Sequence, residues 1–258
     1  MGPETSSGAL PRRALIAGLA SLGGLSLTGC SGDGPPTYGN LLRMGDAFTY
    51  GAFRLLLPRR GLAREYDRRD ITSIAAIGTV NPGNPAEPGY DGQQGEAYDR
   101  LRLGAFRDFR LSVEGRVARP RQFSLDELKA LPRRTQITKH SCEEGWSAIA
   151  EWTGVPLRAL LQAAGVLPSA RYVTFYAYDA IADGIDMLDA LHPQTILAYG
   201  MNGRDLPLQH GAPLRLRVET QLGYKNVKYV RRIVVTDRFD DTGRLGPIQT
   251  GWAWWAGI

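Results

Sequence analysis

The chain has 258 residues and a formal net charge of +5, a length that suits one large domain or two small ones and a basic excess too modest to require nucleic acid as a partner. Only Lys129, Lys139, Lys225 and Lys228 among its 31 basic residues are lysine, so any single arginine has a weak claim to function and a lysine a stronger one. There are two cysteines, Cys30 and Cys142, which excludes a disulfide framework.

In chain order, Arg12 and Arg13 precede an uncharged run over residues 14–29 that ends at Cys30. The run is too short to span a bilayer comfortably and reads as an export signal of the twin-arginine type. Leu27, Thr28, Gly29 and Cys30 resemble a lipobox, so the expectation is a periplasmic lipoprotein with a lipid anchor at Cys30. That export route carries folded proteins, which suits a protein loaded with a cofactor in the cytoplasm. Residues 31–40, rich in Gly, Pro and Ser, read as a tether. Residues 41–258 are then expected to form a single domain with an N-terminal extension.

Residues 81–95 form a turn-rich loop, a binding loop or a plain surface excursion. Residues 109–117 alternate like a half-exposed strand, and Ser124 with Glu127 marks a capped short helix ended by Pro132. Residues 135–142 look extended, which places Thr138, His140 and Cys142 on one face. Pro156 starts a helix whose Leu157, Leu160, Leu161 and Ala164 share a stripe and which Gly165 stops. Strands follow over 172–178, over 196–201 with an Asn202–Gly203 type I′ turn, and over 214–218 and 229–236. No internal repeat and no long amphipathic helix is evident, so the class is α+β with many strands.

With Cys30 assigned to the leader, Cys142 is a lone thiol. As a nucleophile it needs a base, but His140 lies two residues along the strand, roughly 6 to 7 Å away, and His192 and His210 are remote in sequence. Zinc is weaker still, because one cysteine and three scattered histidines lack the usual ligand spacings. A third reading is a soft metal held by one thiolate, with an organic cofactor supplying the other ligands. Such a cofactor needs an anchor. Residues 209–232 hold Arg215, Arg217, Lys225, Lys228, Arg231 and Arg232 against the single acid Glu219, a basic set suited to an anion or, equally, to a solvent-facing edge strand.

Three blocks together resemble a known family: SCEEGWSAIAEWTGVPL over 141–157, LAYGMNGRDLPLQHGAPLRLRV over 197–218 and GYKNVKYVRRI over 223–233. They are similar to the oxidoreductase molybdopterin-binding domain of the sulfite oxidase superfamily, nearest the bacterial methionine-sulfoxide reductase catalytic subunits, and the closing WAWWAGI is similar to the tail of bacterial members. The resemblance implies a sulfite-oxidase-type fold with mixed sheets and short helices, and a molybdenum-molybdopterin cofactor whose metal takes one cysteine thiolate. Cys142 is then metal ligand and catalytic residue. By the same resemblance His210 and Arg215 contact the pterin or its phosphate, and Asn226, Val227 and Lys228 complete the anion pocket, with Lys225 beside them. A metal-bound thiolate needs no neighbouring base, which accounts for the missing histidine partner.

The departures are informative. Where sulfite oxidases continue with an Ala-Gly-Asn-Arg-Arg-like run, this chain has Glu143, Glu144, Gly145, Trp146 and Ser147. Carboxylates facing inward there would repel sulfite, and Trp146 is placed to shape the entrance. The Asn-Asn-Phe-Tyr-Glu-like segment of the reductases is not evident, and neither Asn81 nor Asn84 is assigned its role. About 22 residues follow Thr236, too few for an immunoglobulin-like dimerisation domain, so a monomer is expected. No Cys-x-x-Cys-His motif occurs, so electrons must pass through a separate partner, a cytochrome or membrane haem protein. The substrate is an unidentified small molecule or sulfoxide. Two rival classes remain: a non-catalytic periplasmic binding protein that kept the fold, and a cysteine-dependent thiol enzyme.

Overall fold

Residues 41–56, 61–239 and 252–258 are described by the structure, a computed structural model, so the leader and tether expected over 1–40 lie outside the described residues. The first element departs from the expectation that no long amphipathic helix exists: Leu41–Leu56 forms a sixteen-residue helix, α1. Gly45 and Gly51 interrupt its pattern and lower its intrinsic helicity. Tertiary contacts hold it instead, the Tyr50 hydroxyl donating to Asp186 Oδ2 at 2.6 Å and Arg54 reaching both Asp186 and Asp189. A second unexpected helix, α2 (Gly92–Leu103), starts inside the loop expected to run to residue 95.

The alternating run after Phe109 forms β1 (Arg110–Gly115), followed by β2 (Arg121–Ser124) and α3 (Leu125–Ala130). Ser124 and Glu127 close a reciprocal capping box: Glu127 N donates to Ser124 Oγ at 3.1 Å and Ser124 N to Glu127 Oε2 at 2.8 Å. A cap of this kind contributes about 1 kcal/mol. Next come β3 (Arg134–Ser141), β4 (Ser147–Pro156) and α4 (Leu157–Ala164). The remaining elements are β5 (Tyr172–Ala177), β6 (Ala182–Asp186), α5 (Met187–Ala190), β7 (Ile196–Met201), β8 (Arg204–Asp205), β9 (Arg215–Arg217) and β10 (Val230–Thr236).

Two sheets result. One runs β2-β1-β10-β5-β6 and is mixed, because β1 pairs parallel with β10 while its other pairs are antiparallel. The other runs β3-β4-β7-β8, with β9 also on β7, and is antiparallel throughout. Asn202 and Gly203 both have positive φ, as a type I′ turn between β7 and β8 requires. α4 buries its Leu157, Leu160, Leu161 and Ala164 stripe in one core with Leu111, Val113, Phe175 and Ile233 of the mixed sheet. A smaller cluster around Trp152 fills the antiparallel sheet. The end of β3 delivers Cys142, the start of β9 delivers Arg215, and the segment from β9 to β10 delivers Lys228.

Candidate active site

Alternation along β3 buries Gln136, Thr138 and His140, and Cys142 follows one residue past the strand in the same phase. A tight turn carries the thiol: Cys142 N donates to Trp146 O at 2.9 Å and Gly145 N to Cys142 O at 3.2 Å. Gly145 has φ +90°, a conformation an L side chain would resist. The flanking His140, Glu143, Glu144 and Trp146 line a cavity of about 350 Å³, within the range of cofactor pockets. Cys142 itself is set back from that wall and 6% exposed. Burial pushes its thiol up to about 11, with the Glu143 and Glu144 carboxylates adding to the effect.

Another part of the cavity wall is cationic. Arg215, 5% exposed, donates from Nη1 to His210 O at 3.0 Å and from Nη2 to Asn226 O at 3.1 Å. Its buried Nε has no partner, and among the described residues no carboxylate lies within ion-pair distance of it. Lys228 is similar, since its ammonium donates only to the carbonyls of Ile77, Thr79 and Gln209. Asp179, behind it, is a weak counter-charge because burial pushes its carboxyl up to about 7.

The titrating groups register this excess of positive charge. Burial first, and then Arg217, hold Arg215 down to about 9; burial and Arg215 hold Lys228 down to about 8. His210 falls to about 4 through burial, Arg215 and Lys228. His140 falls to about 2 through burial and the two arginines of β9, so both histidines are neutral at pH 7. A buried pocket with unneutralised cations is electrostatically complementary to an anion.

Of the residues expected to bind a cofactor, His210, Arg215, Asn226, Val227 and Lys228 all line this cavity. The Asn226 side chain is turned inward, however, accepting from Val218 N at 2.7 Å and donating to Leu222 O at 3.1 Å, so it braces the loop. Lys225 is placed differently from its neighbours. Its ammonium is fully buried against Asp183 and donates to Gly184 O at 2.8 Å and Trp254 O at 2.7 Å, off the cavity wall.

Several wall residues escaped sequence reasoning. Ile74, Ala75, Ile77, Gly78 and Thr79 precede the 81–95 loop, expected to be either a binding loop or a surface excursion, and it is they that line the cavity. Asn81 and Asn84 instead cap their own turns, accepting from Gly83 N and Ala86 N. Tyr224 and Trp252 stack edge to face at 4.5 Å on another part of the wall. Gly223 is required by close approach: a Cβ there would lie 2.8 Å from His140 Nε2. The signal that could have found the 74–79 segment, an apolar stretch next to a turn-rich loop, is too common to be specific.

The residues present fit a molybdopterin-type group. A buried arginine with an orphaned Nε and a lysine lacking a carboxylate line the cavity, together with Glu143 and Glu144, which adjoin the lone thiol Cys142 in sequence. Over residues 101–243 the chain matches the family model of the oxidoreductase molybdopterin binding domain. It is 47% identical over 131 residues to a putative protein-methionine-sulfoxide reductase subunit of Azospira oryzae, covering 51% of this chain and 50% of that protein. A protein-methionine-sulfoxide reductase catalytic subunit of Xanthomonas campestris pv. campestris is 35% identical over 148 residues, covering 51% and 46%. The chain therefore spans about half the length of the curated relatives it matches. Among solved structures it is similar to the sulfane dehydrogenase SoxCD from Paracoccus pantotrophus, with 30% identity, a TM-score of 0.49 and coverage of 51% of this chain and 39% of that one. With the family model matched over more than half of its length, the chain belongs to the oxidoreductase molybdopterin-binding domain family, whose cofactor is a molybdopterin.

Proposed function

We propose that the protein is an exported oxidoreductase that reduces a small neutral sulfoxide by two-electron oxygen-atom transfer. The observation that supports this reading is a cavity lined both by buried cations without a carboxylate partner and by the residues that flank the isolated Cys142. When bound, molybdenum-molybdopterin supplies the two-electron redox and oxygen-transfer chemistry, and Cys142 is the residue that would hold its metal. Arg215 offers its planar fork, and Lys228 a point charge, to the pterin and its phosphate. His210, whose carbonyl accepts from Arg215, lines the same cavity with a neutral imidazole.

Glu143 and Glu144 give the Cys142 side of the cavity an acidic rim. An anion such as sulfite is repelled there, whereas a neutral sulfoxide is not. Trp146, Ile77 and Ile181 offer apolar wall to the carbon part of such a substrate. The names of the similar proteins, protein-methionine-sulfoxide reductase subunits, support a sulfoxide as the group reduced. Reducing a sulfoxide consumes two electrons and two protons and leaves a sulfide and water. A separate electron-transfer partner, a cytochrome or membrane haem protein, would provide the electrons. The proposed setting is periplasmic, with a leader over residues 1–30, a lipid anchor at Cys30, a tether over 31–40 and one monomeric domain over 41–258. No helix among the described residues is long and apolar enough to cross a membrane.

The thiol-enzyme reading is disfavoured by geometry. Cys142 faces carboxylates rather than a cation, the nearest being Glu144 Oε2 at 3.9 Å, and burial keeps the thiol protonated at neutral pH. The non-catalytic reading leaves the cysteine unexplained. Metal and pterin analysis of protein matured in molybdenum-replete cells separates all three, with about one metal per chain expected. Cys142→Ser should lose most of that metal and abolish sulfoxide turnover; metal content and turnover equal to those of the unsubstituted protein would refute the ligand assignment.

A further inference from the structure

His140 is buried yet lines the main cavity, and among the described residues only one of its two ring nitrogens is engaged. Arg217 Nη1 lies 2.7 Å from Nδ1. A guanidinium can only donate, so Nδ1 is the acceptor, and in the neutral ring the proton sits on Nε2. This arrangement is braced from behind. Arg217 is 1% exposed and grips Glu219, its Nε at 3.0 Å from Oε1, and Gln136 Nε2 donates to the same carboxylate at 2.9 Å. Turning the ring over would leave a buried guanidinium N–H without its acceptor, which fixes both the tautomer and the orientation.

The second nitrogen is open to a ligand. With Nδ1 sealed against Arg217, the edge left to the cavity carries Nε2. Gly223 borders that edge, and a Cβ there would come within 2.8 Å of Nε2 and 2.9 Å of Cε1, so the missing side chain keeps the donor uncovered. No described residue accepts from Nε2. The other groups nearby cannot substitute for it. The Glu143 and Glu144 carboxylates only accept, and Trp146 Nε1 is already committed to Glu144 Oε2 at 3.0 Å. His210 also lines the cavity, but it adjoins Arg215, and no described residue fixes its tautomer. A sulfoxide oxygen is a strong acceptor with no proton of its own, and a fixed neutral donor complements it. Cys142 follows in the same phase, roughly 6 to 7 Å further along the strand, so this donor stands next to the residue that would hold the metal.

We infer that His140 orients the substrate, its Nε2–H donating to the oxygen of the bound sulfoxide, and that Arg217 is a positioning residue that holds the ring in that tautomer. The inference rests on the sulfoxide reading above and adds a residue to it. The sulfide left after oxygen transfer lacks that acceptor, so the same contact favours substrate over product.

The test uses the full chain matured in molybdenum-replete cells, with dimethyl sulfoxide as the probe and dimethyl sulfide as its oxygen-free counterpart. His140→Met removes the donor at similar size. It should weaken dimethyl sulfoxide about tenfold, read as a dissociation constant and as KM, while dimethyl sulfide binding and the molybdenum and pterin content stay equal. His140→Gln, whose amide N–H reaches a similar point, should recover most of that affinity. Unchanged dimethyl sulfoxide affinity in His140→Met overturns the proposal. An equal loss for both probes does so as well, since His140 would then be a packing residue, and so does a loss of pterin, since the ring would then serve the cofactor. Nitrogen-15 spectra of the unsubstituted protein need no variant: they should show the His140 proton on Nε2, with a resonance that dimethyl sulfoxide shifts. A proton on Nδ1, or no shift, overturns the proposal. An unsubstituted protein that turns over no sulfoxide sinks the function proposed above along with this inference, whereas turnover that His140→Met leaves untouched sinks this inference alone.

Discussion

Arg215 and Arg217 stand two residues apart on β9, both almost wholly buried and both stacked on Trp152, at 5.0 and 4.5 Å from its ring. Arg217 is neutralised: its guanidinium grips Glu219 through two nitrogens, Nε at 3.0 Å from Oε1, and Gln136 steadies that carboxylate from the other side at 2.9 Å. Arg215 meets only carbonyls. Three residues apart, Lys225 and Lys228 repeat the contrast, the first enclosed with Asp183 and the second held by three backbone oxygens. A buried ion pair is framework, because its charges already cancel. A buried cation without a carboxylate costs several kcal/mol unless a ligand neutralises it, so Arg215 and Lys228 are where the fold stores affinity for an anion.

The contrast can be broken most forcefully at Lys225. Lys225→Met removes the cation beside Asp183 and leaves a buried carboxylate behind, which should cost about 3–5 kcal/mol; thermal or urea unfolding of the apoprotein measures it. If Lys225 served the ligand instead, stability would hardly change and pterin content would fall. Arg215→Ala should show the opposite pattern, weakening pterin retention by about tenfold to a hundredfold, the worth of a charge-assisted contact. The apoprotein should not be destabilised to match, because removing an unneutralised cation relieves its burial. Pterin content unchanged in that variant would erase the distinction between the two arginines.

The smallest effect is a pH dependence. Lys228 in the ligand-free protein loses its proton near pH 8 rather than near its ordinary value, so the pocket carries its full charge below pH 8 and less above it. Affinity for a phosphate-bearing ligand should therefore be maximal below pH 8 and decline as pH rises through that value, with a bound anion moving the midpoint upward. Lys228→Met should flatten the profile; a profile unaltered by that change would assign it to another group.

Much of this was readable before folding. Ser124 and Glu127, the α4 stripe and the Asn202–Gly203 turn are local patterns whose geometry is set within a few residues, and each appears where its chemistry dictates. The alternation that puts His140 and Cys142 in phase is likewise a property of the strand alone. β4 and β6 were not foreseen, since SAIAEWTGVP has no clean period and is held as a strand by β3 on one side and β7 on the other. α1 escaped for a related reason, its hold on the protein coming from Asp186, Asp189 and two tryptophans of the tail, all more than 130 residues away in sequence.

The order of residues by itself determined that Cys142 is the lone thiol of the described chain, that a basic block follows it, and that the two belong to a molybdopterin-binding family. Only the tertiary structure decided which members of that block are available. Lys225 and Lys228, like Arg215 and Arg217, are equivalent in composition and nearly so in position. Whether such a charge meets a carboxylate or an open cavity depends on contacts made by distant segments, Asp183 for one lysine and Ile77 and Thr79 for the other, which no local pattern encodes.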